Sequence, residues 1–416
     1  MGAAAAAGHG IGGAMARRAW FVLAAGAFVL TLNMGIRQSF GLFLEPMTVD
    51  LGWERAVFAL ALAVQNLIWG LVQPVAGMVA ERYGYGRTLT GGALLYVLGL
   101  IVMAEGTDPL AFELGAGLLV GCALAATGFP VVLAAVVRVF PPERRSLALG
   151  VAGTGASFGQ FVLPPLSQGL IGAYGWPAAY LTLAALACLI LPLALPLAGR
   201  ATSVHEEEGP ARLGAALAEA GRHSGFWYLC LGFFVCGFHV AFIATHLPVY
   251  VTGCGLPAMV GAVALALIGF FNMVGSYVAG LLGGRYRKKY LLSALYFGRA
   301  VVIAIFLWIP PSEASVLAFS AAMGLLWLGT VPLTSGLVGQ IFGVRHLATL
   351  FGLVLLAHQI GAFLGAWLGG YLFDLTGSYS EMWLFAIGLG LLAAAIHWPI
   401  ADRPLAGRLG MSPARV

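Results

Sequence analysis

The feature that most restricts this 416-residue chain is a series of long apolar runs. A membrane-crossing helix needs about 20 apolar residues, because the hydrocarbon core is about 30 Å thick and a helix rises about 1.5 Å per residue. Runs of this kind, cut by charges or by Pro and Gly, occur at 19–43, 56–79, 88–104, 111–137, 146–171 and 178–198, then at 225–250, 258–284, 290–309, 316–343, 347–373 and 381–398. An all-α membrane protein of twelve spanning helices is predicted, with the lipid bilayer as its main partner. Composition agrees: 61% of residues are hydrophobic and 9% charged, whereas a solvated surface requires roughly 25% charge. A soluble enzyme, a nucleic-acid binder and a disordered scaffold are excluded.

The only long polar stretch, with Glu206, Glu207, Glu208 and a short amphipathic segment, lies between the sixth and seventh runs. It divides the chain into an N-terminal bundle (1–199), a linker (200–224) and a C-terminal bundle (225–416). With both termini and the linker on one side, 18 of the 21 Lys and Arg fall there and only Arg55 opposite. The positive-inside rule then places both termini in the cytoplasm of a cell (inner) membrane protein. Residues 1–16 read as a flexible Ala/Gly-rich tail without a cleavable signal. Cys122, Cys188, Cys230, Cys236 and Cys254 have neither disulfide nor metal-ligand spacing and read as small packing residues.

The halves repeat. Phe140, Gly150, Gly159, Pro130 and Pro46 match Phe342, Gly352, Gly361, Pro332 and Pro248 at an offset of 202, while Gly77 and Arg82 match Gly280 and Arg285 at 203. A constant offset across several helices implies two six-helix bundles related by a pseudo-twofold axis, with a substrate site between them.

Gly77-Met78-Val79-Ala80-Glu81-Arg82-Tyr83-Gly84, followed by Arg87, resembles the loop 2–3 motif of major facilitator transporters, with Glu81 where Asp is usual. Gly280 to Arg285, with Arg287, Lys288 and Lys289, resembles its weaker copy in loop 8–9. Within that superfamily, the run from Arg145 to Gly155 resembles the helix-5 motif of the monocarboxylate transporters and oxalate–formate exchangers, with Thr154 where Ala or Ser is usual. Leu163 to Gln168 and Gly175-Trp176 are similar to the same family. The Gly-Pro element of drug–proton antiporters is absent from helix 5. The family's Asp and Arg, four apart on helix 8, are replaced by Asn272 and Ser276, and its helix-1 Lys falls at Arg37 or Gln38. The resemblance implies alternating access, with the charges of Glu81, Arg82 and Arg87 pairing with a helix end in one state and releasing in the other.

Candidate site residues follow from charge inside apolar spans. Arg37 costs at least about 3 kcal/mol in a membrane helix, so it is expected to bind an anion or to form an internal salt bridge. His239 lies 202 residues later and is expected to face the same pocket. His246 is seven residues on, along the same face, and His358 sits beside Gln359. These histidines read either as helix–helix hydrogen bonds or as proton carriers, since all sixteen acids map to loops or helix ends. Asn272, Ser276, Gln38, Gln359 and Trp327 complete the expected substrate contacts. Arg299 remains open between packing and substrate contact. No metal cluster, ATP-binding loop or acid–base pair is seen, so neither an enzyme nor a cofactor is expected. The reading is a monomeric secondary transporter of small organic anions, monocarboxylates by resemblance, by H+ symport or exchange; efflux of amphipathic compounds is the alternative.

Overall fold

The computed structural model describes residues 2–199, 210–343 and 347–405. Glu206, Glu207, Glu208 and the basic residues Arg200, Arg345, Arg408 and Arg415 lie outside the described residues. All regular structure among the described residues is helical. Among the described residues, eleven helices are long and apolar enough to cross a membrane. One of them, Leu147–Ala194, is 48 residues long, roughly 72 Å at 1.5 Å per residue and more than twice a bilayer core. It is broken at Gly175, whose φ of 79° lies in a region an L side chain rarely adopts. Divided there, the described residues hold the twelve expected spans.

We label these α1 (Arg18–Leu51), α2 (Arg55–Tyr83), α3 (Tyr85–Glu105), α4 (Pro109–Val137), α5 (147–174) and α6 (176–194). The second half has α7 (Ser224–Gly253), α8 (Ala258–Arg285), α9 (Lys288–Trp308), α10 (Glu313–Phe342), α11 (Thr349–Thr376) and α12 (Ser380–His397). The helix that carries the start of α1 begins at Gly2, so the glycine-rich start continues α1 rather than forming a tail. A separate helix, Pro210–Arg222, follows the linker. By packing, the chain groups into two compact units, residues 1–39 with 71–202 and residues 40–70 with 203–416.

In the first unit, α1 and α5 meet backbone to backbone. A Cβ on Gly35 would stand 2.7 Å from the Gly159 carbonyl oxygen, and one on Gly159 would collide with that of Thr31. Thr31 Oγ1 donates to Ala27 O at 2.9 Å and to Gly155 O at 2.8 Å, so the crossing is also hydrogen-bonded. Helix α4 is interrupted at Gly128, in extended conformation, just before Pro130; a proline cannot supply the amide that would continue the ladder. Gln73 Nε2 donates to Ala125 O at 3.2 Å beside this break.

The second unit repeats the arrangement. A Cβ on Gly237 would collide with His358 O, and one on Gly361 with Phe234 O, so α7 and α11 cross as closely as α1 and α5. Gly35/Gly237 and Gly159/Gly361 are each 202 apart, and the sequence repeat is therefore a packing repeat of small residues. Helix α10 is broken between Leu325 and Thr330. Residues 40–70 belong to this unit: Ala63 packs with Ala241, Ala362 and Ala366, and the Arg55 backbone lies against Gly370.

Candidate functional site

In the first unit, Arg37 stands in the last turn of the helix that ends at Gln38, directly before a 3-10 turn at Phe40–Phe43. The partial negative charge of a helix C-terminus, about half an elementary charge, favours a cation there. This placement explains how an apolar span holds a guanidinium. Arg37 is half-buried and interacts electrostatically with Tyr96 on α3. The Tyr96 hydroxyl donates to Asn33 O at 3.0 Å, and Asn33 Nδ2 donates to Thr127 Oγ1 at 2.6 Å, next to the α4 break. Gln38 is buried, and its Nε2 has no hydrogen-bond partner among the described residues. The unit thus presents a cation and an uncommitted amide donor on consecutive residues.

The second unit commits its charge differently. Arg299 is 0% exposed. Its Nε donates to Leu326 O at 2.9 Å, and its Nη2 donates to Trp327 O and lies 3.6 Å from Cys236 Sγ. Leu326 and Trp327 occupy the α10 break, where the first half-helix ends and its last carbonyls lack helical partners. Asn272 Oδ1 accepts from Leu328 N at 3.1 Å and from Ser276 Oγ at 3.2 Å, holding the same stretch from α8. Trp327 is itself 1% exposed, packed within the break. Arg299, Asn272, Ser276 and Trp327 therefore come together around a discontinuous helix.

The histidines separate. His239 is fully buried in the seam between α7 and α12, where Nε2 donates to Ala386 O at 2.8 Å. Its Nδ1 has no hydrogen-bond partner among the described residues, and the charge of Arg299 reaches the ring. His246 donates from Nε2 to Ala366 O at 2.7 Å, which leaves Nδ1 to accept from Tyr379 OH at 3.1 Å. His358 is half-buried on α11, 3.2 Å from Gln359 Oε1. Gln359 is buried against Gly70 of α2. Two histidines expected on a cavity face thus point into helix–helix seams of their own unit, because each finds a backbone carbonyl there.

A polar cluster that the sequence reading did not single out joins the start of α2 to α11 and α12. Asp374 accepts from Arg55 N at 3.1 Å and Ala56 N at 2.6 Å, capping the first turn of α2. The Arg55 guanidinium lies 3.6 Å from the centre of the Phe373 ring and donates to Tyr379 OH at 3.1 Å. Glu45 accepts from Thr252 Oγ1 at 2.5 Å.

The loop motif residues Glu81, Arg82 and Arg87, and Arg285 of its copy, are exposed, and form no ion pair among the described residues. Gly77 has open space where a Cβ would stand. Past this motif copy, Arg287 forms a two-pronged pair with Asp402, Nε to Oδ2 at 3.0 Å and Nη2 to Oδ1 at 2.6 Å. A groove of about 640 Å³ between α9 and α12, lined by Tyr290, Phe297 and Trp398, includes none of the candidate residues. No group of three or more metal-ligating side chains occurs among the described residues.

Comparison with known proteins gives one consistent family. The model of the Major Facilitator Superfamily matches residues 23–335 and 274–414. Monocarboxylate transporter 13 of Bos taurus is 28% identical over 391 residues, covering 90% of this chain and 87% of its own. Monocarboxylate transporter 11 of Mus musculus is 29% identical, covering 91% and 86%. Among solved structures, a bacterial homolog of the human lysosomal transporter Spinster, inward-facing and occupied, superposes with a TM-score of 0.73 at 17% identity, covering 95% of this chain and 98% of its own.

Proposed function

This chain belongs to the Major Facilitator Superfamily and is a multi-pass membrane transporter, and from that premise we propose that it carries small organic anions, in the first place monocarboxylates. Arg37 carries the reading. It is a half-buried guanidinium inside an apolar span, stabilised by a helix end and adjacent to the uncommitted amide of Gln38. A carboxylate pairs with a guanidinium through charge-assisted hydrogen bonds, and it supplies an acceptor for Gln38 Nε2, which has no hydrogen-bond partner among the described residues. The named monocarboxylate transporters among its relatives support the same substrate class.

Transport then proceeds by alternating access between an N-terminal bundle (1–199) and a C-terminal bundle (225–416), as a monomer in the cell membrane with both termini cytoplasmic. The driving gradient is of protons or of an exchanged anion. In this scheme the exposed charges of Glu81, Arg82 and Arg87 form their ion pairs in the other conformational state. Asn272, Ser276 and Trp327 shape the wall of the substrate path at the α10 break, and His358 with Gln359 lines it from α11.

Counterflow in liposomes tests the proposal. Purified protein is reconstituted with unlabelled pyruvate inside, and labelled pyruvate is added outside. Transient accumulation of label that Arg37→Gln abolishes is expected. Accumulation of neutral amphipathic compounds, with none of any monocarboxylate, would replace this reading with efflux.

A further inference from the structure

We propose that the groove between α9 and α12 binds one acidic phospholipid, with an acyl chain lying in the groove and the phosphate at the basic start of α9. The inference concerns an exposed face of the second unit and does not depend on which substrate is carried.

Tyr290 and Phe297 stand seven residues apart on α9, and Leu391 and Trp398 seven apart on α12. Each helix therefore sets two large side chains on one face, two turns or roughly 10 Å apart. All four are exposed. Between them the surface is made of Ser293, Ala294, Ala394 and Ala395, too small to fill the space, which is about 640 Å³. Its polar group is already satisfied, since Ser293 Oγ donates to Ala394 O at 2.7 Å. A trough with large apolar walls and a satisfied floor offers van der Waals contact and little hydrogen bonding. That suits a hydrocarbon chain and not a polar ligand. The corresponding groove of the first unit holds about 300 Å³. It has Arg87 and Leu195 where an offset of 203 places Tyr290 and Trp398, so it lacks both rings.

Charge at one end of the groove selects the headgroup. Tyr290 and Trp398 lie at the start of α9 and just past the end of α12, with ring centres 4.8 Å apart, as an aromatic pair does at a membrane–water boundary. The Tyr290 ring has Arg287 and Lys289 each 5.1 Å from its centre. Residues 285–290 and 398–405 carry Arg285, Arg287, Lys288, Lys289 and Arg403 against one carboxylate, Asp402. Both oxygens of that carboxylate are taken by Arg287, and no other ion pair forms here among the described residues. Lys289 Nζ is fixed on Ile400 O at 2.8 Å, and Lys288 Nζ spends one of its three donors on Gln340. The mouth thus keeps a surplus of positive charge, which a phosphodiester with no compensating ammonium matches. A zwitterionic lipid would bring its own cation to the same place.

Native mass spectrometry of the detergent-purified protein tests the site, with phosphatidylglycerol and phosphatidylcholine of identical acyl chains as probes. One phosphatidylglycerol should stay bound under conditions that strip phosphatidylcholine. Lys288→Gln and Arg403→Gln should each weaken phosphatidylglycerol about fivefold and leave phosphatidylcholine unchanged. Ala294→Phe with Ala395→Phe fills the groove from exposed positions and should abolish retention while the thermal midpoint stays near wild type. Equal retention of the two lipids by wild type would overturn the proposal, as would undiminished phosphatidylglycerol binding in the filled variant. Displacement of the lipid by glycerol phosphate at equal concentration would overturn the acyl-chain half of it. If the filled variant does not fold, the charge variants decide alone, and unchanged affinity in both rejects the site.

Discussion

The two arginines inside apolar spans occupy corresponding regions and are used in opposite ways. Arg37 corresponds to His239 at an offset of 202, and Tyr96, beside Arg37, corresponds to Arg299 at 203. One unit therefore places its guanidinium on the first helix of the repeat and a tyrosine on the third; the other places a histidine on the first and the guanidinium on the third. Arg37 is half-buried at a helix end. Arg299 is completely buried and hydrogen-bonded to two carbonyls of a broken helix. The same pair of positions thus yields one half-buried cation at a helix end and one fully buried cation hydrogen-bonded into a broken helix.

The largest expected effect is at the architectural end. Arg299→Gln strands the Leu326 and Trp327 carbonyls, at about 1–3 kcal/mol each, and should lower the thermal midpoint of the detergent-purified protein steeply. Arg37→Gln should leave that midpoint close to wild type. Equal destabilisation by the two variants would erase the distinction. Next come the helix crossings. Gly159→Val and Gly361→Val each force a side chain into a facing backbone carbonyl, and overpacking costs typically about 1–3 kcal/mol. Similar losses in the two halves, measured by unfolding, would confirm that the crossings are equivalent.

Asp374→Asn should have a smaller effect, about 1 kcal/mol, since the capping hydrogen bonds to Arg55 and Ala56 weaken without disappearing. Protease or thiol-label access to the start of α2 is a suitable readout, and unchanged access would show that the cap is dispensable. Smallest is the Arg287–Asp402 pair, outside the spans. The Arg287 hydrogen bonds hold the Asp402 carboxyl below its usual range. A carboxylate depressed in the folded state adds stability that is fully present above its unfolded value, about pH 3.9, and lost as pH falls through the lowered one. Asp402→Asn should therefore lower stability slightly at neutral pH, leave it unchanged below the lowered carboxyl range, and so flatten the acid limb of a stability–pH curve.

Much of this architecture was readable from residues alone. The apolar runs announced the spans, and the 202-residue offset of the glycines proved to be a repeat of backbone-to-backbone crossings. Arg37 stood out because any charge in such a run demands an explanation. What escaped was register between distant helices. Nothing in the sequence says that Cys236 and Thr330 meet Arg299, or that Asp374 caps α2, since each depends on how three helices rotate about their axes. His239 and His246 share a helix face, as their spacing implied, but that face meets α11 and α12, and spacing alone does not say what a face meets. The break in α10 was equally hidden: Gly329 and Pro332 suggest weakness there, but the carbonyls that Arg299 takes up become visible only in three dimensions.

On the proposed reading Arg37, and not Arg299, is the cation that receives a carboxylate. Thermal shift of the purified protein tests it most directly, comparing monocarboxylates with the neutral amides of the same skeletons, on wild type and Arg37→Gln. A ligand that binds only the folded state at a hundredfold excess over its Kd adds about 2.7 kcal/mol. Acids should stabilise wild type, amides should not, and Arg37→Gln should lose the response while keeping its own midpoint. Stabilisation by acids that persists undiminished in Arg37→Gln would contradict it.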